Sequence, residues 1–122
     1  MDDDESIMRT FTRILDRNGY LTDTAKSGEE ALAKLRENRY GVALIDVRLL
    51  GAEGTDLLKE ISGENMCMVK IMITGFPTTE NRLDAEANGA DAYLGKPVKP
   101  EKLLGVIAEE LNKKKQGTAR ED

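Results

Sequence analysis

Three residues of this 122-residue chain stand where chemistry is easiest to build. Asp46 closes the apolar run Gly41-Val42-Ala43-Leu44-Ile45, Thr74 follows the apolar stretch 68–73, and Lys96 lies just past Ala92-Tyr93-Leu94. A carboxylate, a hydroxyl and an ammonium thus fall at the ends of three apolar runs. A carboxylate at the end of a buried strand needs cationic compensation, because desolvation disfavours its charge. Lys96 or a divalent metal can provide it. A second acidic feature, Asp2-Asp3-Asp4-Glu5, directly precedes a helical pattern. Alone, such a cluster serves to oppose the helix macrodipole and cap open N–H groups. Combined with Asp46 it makes a hard, oxygen-only donor set suited to Mg²⁺.

The elements that must position these residues alternate along the chain. Residues 6–17 carry Ile7, Phe11, Ile14 and Leu15 at helical spacing, and Asn18-Gly19 supplies a stop. Residues 20–25 alternate and read as a short strand. Ser27 and Glu30 form a capping-box pattern ahead of a helix through Ala31, Leu32 and Leu35. Residues 41–45 read as a strand buried on both faces. A helix over 54–63 follows, with Leu57, Leu58 and Ile61 on one face, and 68–73 is a second buried strand. A weakly apolar helix from Pro77-Thr78 to about Asn88, with Leu83 and alanines as its apolar residues, ends at Gly89. After a third strand at 92–94, Pro100 opens a last helix lined by Leu103, Leu104, Ile107 and Leu111. Residues 1–112 form one domain, and 113–122 are a polar tail or the start of a linker, expected to fray. Strands alternating with helices imply a parallel sheet with helices on both faces, and such sheets bind ligands at the carboxyl ends of their strands. Asp46, Thr74 and Lys96 all belong to that edge.

Composition removes whole classes of function. The chain has no histidine, which excludes histidine-based acid–base catalysis, serine–histidine triads and most zinc sites. Cys67 is the single cysteine, so no internal disulfide forms; among Met66, Met68 and Val69 it reads as a buried structural thiol. A net charge of −5 argues against a surface that binds nucleic acid directly. No apolar run approaches the ~20 residues needed to span a bilayer, and the acidic start is unlike a signal peptide. A cytoplasmic protein without a membrane partner is the expectation.

Taken in order, Asp2-Asp3, Asp46 after its apolar strand, Ile73-Thr74-Gly75 and Tyr93-Leu94-Gly95-Lys96-Pro97 resemble the signature of response-regulator receiver domains of two-component signalling. The resemblance runs from Asp2 to about Leu111. It implies a flavodoxin-like doubly wound parallel sheet, (βα)5 in the family. It implies that Asp46 is the phosphoacceptor, and that Asp2, Asp3, Asp46 and the backbone carbonyl of Arg48 hold Mg²⁺. It implies that Thr74 and Lys96 bind phosphoryl oxygens, with a cis Lys96-Pro97 bond aiming the lysine inward, and that Tyr93 changes rotamer on activation. The implied partners are a histidine kinase or phosphotransfer protein as donor and a downstream effector domain or protein as reader. Arg48 and Phe76 match positions that tune dephosphorylation, and their bulk points to slow hydrolysis.

Two departures from the family pattern stand out. Leu50 occupies the place of a usual proline, although Gly54 fits. The family's apolar first strand, about five residues long, precedes the acidic pair, where this chain has only Met1. The expectation is that this strand is missing through a shortened start. Strand exchange with another copy, giving a homodimer, or a rearranged sheet are the alternatives. Two other functions stay open. One is a degenerate receiver that binds partners without phosphorylation. The other is a haloacid-dehalogenase-type phosphatase, which needs a second Asp where Arg48 stands.

Overall fold

Met8, Phe11 and Leu15 recur at helical spacing and turn one face of the first helix, α1 (Glu5–Arg17), inward. The helix is stopped by Gly19, whose φ of +86° needs a residue without a Cβ. The amides of Gly19 and Tyr20 donate to the carbonyls of Asp16 (3.3 Å) and Leu15 (3.0 Å), the double bond of a Schellman cap. The computed structural model describes residues 5–46, 60, 61, 63, 68–75 and 78–121. Helix α2 (Gly28–Glu37) starts at the expected Ser27 cap, whose hydroxyl accepts from the Glu30 amide at 3.1 Å. The Glu30 carboxylate reaches back one residue further than in the usual capping box, accepting from the Lys26 amide at 3.0 Å.

Strands β1 (Val42–Asp46), β2 (Val69–Thr74) and β3 (Ala92–Gly95) form a parallel sheet in the order β1-β2-β3. Its register pairs Asp46 with Ile73 and Thr74 with Gly95, so the strands end together at one edge. Helices α3 (Thr79–Ala87) and α4 (Pro100–Glu121) complete the described elements. Helix α3 ends at a second Schellman cap, with Gly89 at φ +108° and Ala90 donating to Ala85 at 3.0 Å. Period-two alternation splits β2 between two cores. Val69, Ile71 and Ile73 pack with Leu94, Leu103 and Ile107, and with Phe11 and Leu15 of α1. Met72 faces a second core of Leu35, Ala43, Ile45, Ile61, Ala85 and Ala90. Helices therefore cover both faces, as a doubly wound sheet requires.

The structure corrects two expectations. Residues 20–25 are not a strand. Among the described residues their main chain makes no ladder with β1, and Leu21 is fully exposed. Side chains hold the segment instead. Thr22 donates to Asp16 at 2.8 Å, and Asp23 takes the Lys34 ammonium at 2.8 Å and the Tyr40 hydroxyl at 2.9 Å. Lys34 also donates to the Thr24 carbonyl. Alternation alone does not make a strand; a partner edge at hydrogen-bonding distance does. Next, the polar stretch from residue 113, expected to fray, continues α4 as far as Glu121. Leu83 of α3 turns outward at 60% exposure, and this weakly apolar helix packs on the core through Ala85 and the capping Ala90. Leu57, Leu58 and Cys67 lie outside the described residues, while Ile61 is fully buried as expected.

Candidate functional site

Each of the three strand-end residues is placed by a different strand. Asp46 ends β1 with 4% of its side chain exposed, and Thr74 ends β2, likewise 4% exposed. Lys96 follows β3 directly, and its amide donates to the Thr74 carbonyl at 2.7 Å. From there its ammonium crosses β2 to reach Asp46 Oδ2 at 2.8 Å. Adjacent strands lie about 4.8 Å apart, so an extended lysine opposite an aspartate can bridge the two outer strands. The Lys96-Pro97 peptide bond is cis.

This geometry answers the desolvation problem posed by a buried carboxylate. A charge-assisted hydrogen bond of 2.8 Å places a cation on Asp46, and Lys96 itself stays 21% exposed. Carboxylate, ammonium and threonine therefore meet at the carboxyl edge of the sheet. What they can do together follows from their types: an oxygen nucleophile, a fixed positive charge, and a hydroxyl beside them. Acceptance of an anionic, electrophilic group is the natural chemistry of that set.

The expected metal ligands are only partly in view. Asp2, Asp3 and Arg48 lie outside the described residues, as do Leu50, Gly54 and Phe76. Among the described residues no group of three His, Cys, Asp or Glu side chains could hold a metal ion. The buried Asp46 carboxylate, with oxygen donors only, fits a hard divalent cation.

Tyr93 sits on β3 opposite Met72, two residue pairs back from the Thr74–Gly95 edge. Its ring packs against the core that holds Ala85 and Ala90, and its hydroxyl is buried without a hydrogen-bond partner among the described residues. A buried hydroxyl left unpaired costs roughly 1–3 kcal/mol. Tyr93 is therefore turned inward, with its polar tip unsatisfied among the described residues.

Sequence reasoning missed a second ionic cluster at the opposite edge of the sheet. Lys70 lies within β2 at 3% exposure. Asp91 accepts from the Lys70 amide at 2.8 Å, lies 3.7 Å from its ammonium, and lies 3.3 Å from the ammonium of Lys114 on α4. The Asp91 amide donates back to the Lys70 carbonyl at 2.8 Å. The signal was present: a lysine inside an otherwise apolar strand demands a carboxylate, and Asp91 immediately precedes the neighbouring strand.

A sequence model of the response regulator receiver domain matches residues 1–108. The alginate biosynthesis transcriptional regulatory protein AlgB of Pseudomonas aeruginosa is 32% identical over 98% of this chain, which spans 26% of that protein's length. A response regulator receiver domain protein (CheY-like) from Methanospirillum hungatei superposes with a TM-score of 0.89 at 38% identity, covering 95% of this chain and 93% of that one. A response regulator protein from Burkholderia pseudomallei, solved with a phosphorylated aspartic acid, calcium ion and citrate, superposes at 0.82 and 26% identity over 99% of this chain and 71% of its own.

Proposed function

Since the chain belongs to the response-regulator receiver domain family of two-component signalling, we propose that Asp46 accepts a phosphoryl group from a histidine kinase or phosphotransfer protein. The observation that carries this reading is the 2.8 Å contact between the buried Asp46 and Lys96 at the strand-end edge, with Thr74 beside it. An Asp46 oxygen attacks phosphorus in line; the O–P bond forms as the donor's N–P bond breaks, and the electron pair returns to the imidazole nitrogen. Asp46, Asp2, Asp3 and the Arg48 carbonyl would hold Mg²⁺, which when bound neutralises phosphoryl oxygens. Lys96 keeps the nucleophile oriented before transfer and afterwards turns its charge onto the phosphoryl group. Thr74 donates its hydroxyl to another phosphoryl oxygen. The solved relative with a phosphorylated aspartic acid and calcium ion supports both the acceptor and the divalent cation.

The switch that follows runs from Thr74 to Tyr93, which lie diagonally across β2 and β3, two residue pairs apart. Thr74 moves toward the phosphoryl group, and the inward Tyr93 ring fills the space behind it. The face of α3, β3 and α4 is then the surface that an effector reads.

Intact mass after incubation with acetyl phosphate and Mg²⁺, beside an Asp46→Asn control, is the test. A gain of one phosphoryl group, absent in the control and absent without magnesium, is the expected result. No gain under any of these conditions would sink the proposal.

A further inference from the structure

Around α1 three rows of side chains follow one another, each recurring at every fourth residue. Phe11 and Leu15 face the core shared with α4. Beside them Met8, Thr12 and Asp16 form the floor of an open groove of about 630 Å³. Arg9, Arg13 and Arg17 make its outer rim, and Thr24 and Lys26 make the opposite one. Four cations thus face a single carboxylate, on a chain whose net charge is −5. That carboxylate, Asp16, already accepts the Thr22 hydroxyl at 2.8 Å.

The arginine row departs from how the other helices arrange their charges. On those, cations stand one turn from acids: Lys34 lies 3.4 Å from Glu30, Arg82 3.2 Å from Glu86 and Lys113 3.5 Å from Glu109. In α1 each arginine instead stands one turn from another arginine, where like charges repel. All three are exposed, and none has an ion-pair partner among the described residues. The helix gains nothing from that repulsion, and a bound anionic partner turns it into attraction.

Spacing and surroundings select that partner. At 1.5 Å per residue, positions four apart lie about 6 Å from one another along the helix, so the three guanidiniums are strung over about 12 Å. Carboxylates in one row of another helix recur at the same interval, so a helix laid along the groove meets the arginines one for one. A long polyanion matches the row locally, but the net charge of −5 repels the rest of it. A second copy docked around a two-fold axis would set arginine against arginine. We propose that the groove docks an acidic helix of a partner protein, its carboxylates one turn apart on Arg9, Arg13 and Arg17 and its apolar side chains on the floor of Met8 and Thr12. This inference does not rest on the phosphoacceptor reading, because none of these residues stands at a strand end and the readout is binding.

The probe is a helical peptide with Glu at every fourth position in one row and Leu or Ala in the row beside it. A peptide of the same composition with its Glu residues spread around the helix is the control, and amide chemical shifts of the whole chain are followed. Expected with the one-row peptide are saturable shifts at residues 8–17 and 24–26 that fade as salt is raised. Binding should weaken by about tenfold or more when Arg9→Gln, Arg13→Gln and Arg17→Gln are combined. Glutamine is a comparable helix former, so the variant keeps its fold, and its labelling by acetyl phosphate should match that of the parent. Absence of shifts, equal binding of the two peptides, or equal binding by variant and parent overturns the proposal. So does a duplex oligonucleotide or a phosphatidylglycerol vesicle that shifts these residues where the peptide does not, or shifts that appear on concentrating the chain alone. Those outcomes make a nucleic acid, a lipid surface or a second copy the occupant.

Discussion

Asp46 and Lys96 share one hydrogen bond but not one environment. Asp46 is nearly sealed, while Lys96 keeps a fifth of its side chain in water. Removing either partner therefore has unequal effects. Lys96→Met leaves a buried carboxylate without its cation and should cost roughly 3 kcal/mol in urea unfolding at pH 7. Asp46→Asn leaves a lysine that can turn to solvent, and should cost well under half as much. Tyr93 gives an opposite sign. Its hydroxyl is buried and has no hydrogen-bond partner among the described residues, so Tyr93→Phe should leave stability unchanged or raise it by about 1 kcal/mol, where most buried tyrosines lose stability on this change. A clear loss in the Phe variant would mean that the hydroxyl has a partner. Asp46, Thr74 and Lys96 were legible in the sequence because strand ends are marked by where apolar runs stop. The inward rotamer of Tyr93 was not, because a rotamer depends on packing from other elements of the fold.

At the scale of elements, Asp91, which immediately precedes β3, ties that strand to β2 through Lys70 and to α4 through Lys114. Asp91→Ala should cost roughly 3 kcal/mol, since the buried Lys70 ammonium loses the Asp91 carboxylate and keeps the neutral Met68 carbonyl, to which it donates at 2.7 Å, whereas Lys70→Met should be close to neutral. Denaturant midpoints of both variants check this, and a large loss in Lys70→Met would show that the pair itself adds net stability. Most elements could be read from periodicity and caps: the Ser27 start, the Gly19 and Gly89 stops, and Pro100 as the first residue of α4. Residues 20–25 could not. Alternation shows which way side chains point in a strand, and it carries no information on whether a neighbouring edge is present.

For the whole molecule, pH acts through the surface network that anchors residues 20–25. Hydrogen bonds from Lys34 and then Tyr40 lower the pKa of Asp23, and the bond to Asp23 raises that of Lys34. Tyr40 is raised by burial and then by its bond to Asp23. The Asp23 contribution is present above the unfolded value of about 3.9 and is lost as pH falls through its lower folded value. The Lys34 and Tyr40 contributions are present below about 10 and are lost as pH rises through their higher folded values. Because one carboxylate supports the Lys34 shift and part of the Tyr40 shift, Asp23→Asn should flatten the acid limb and part of the alkaline limb of the stability curve. The whole effect stays within about 1 kcal/mol, since the groups are largely solvated. Thermal midpoints between pH 3 and 11 would show it; an unchanged alkaline limb would mean that Lys34 and Tyr40 act independently of Asp23.

The last helix has a mechanical consequence. Its deepest anchor is the fully buried Leu103, and it continues to Glu121. At 1.5 Å per residue about 27 Å separate the two, so a tilt of about ten degrees at Leu103 sweeps the far end through about 5 Å. The helix is a pointer with its fulcrum in the core, and Lys114 on Asp91 is a clasp partway along it. A rearrangement at the strand ends that tilted this helix would thereby be magnified at its far end.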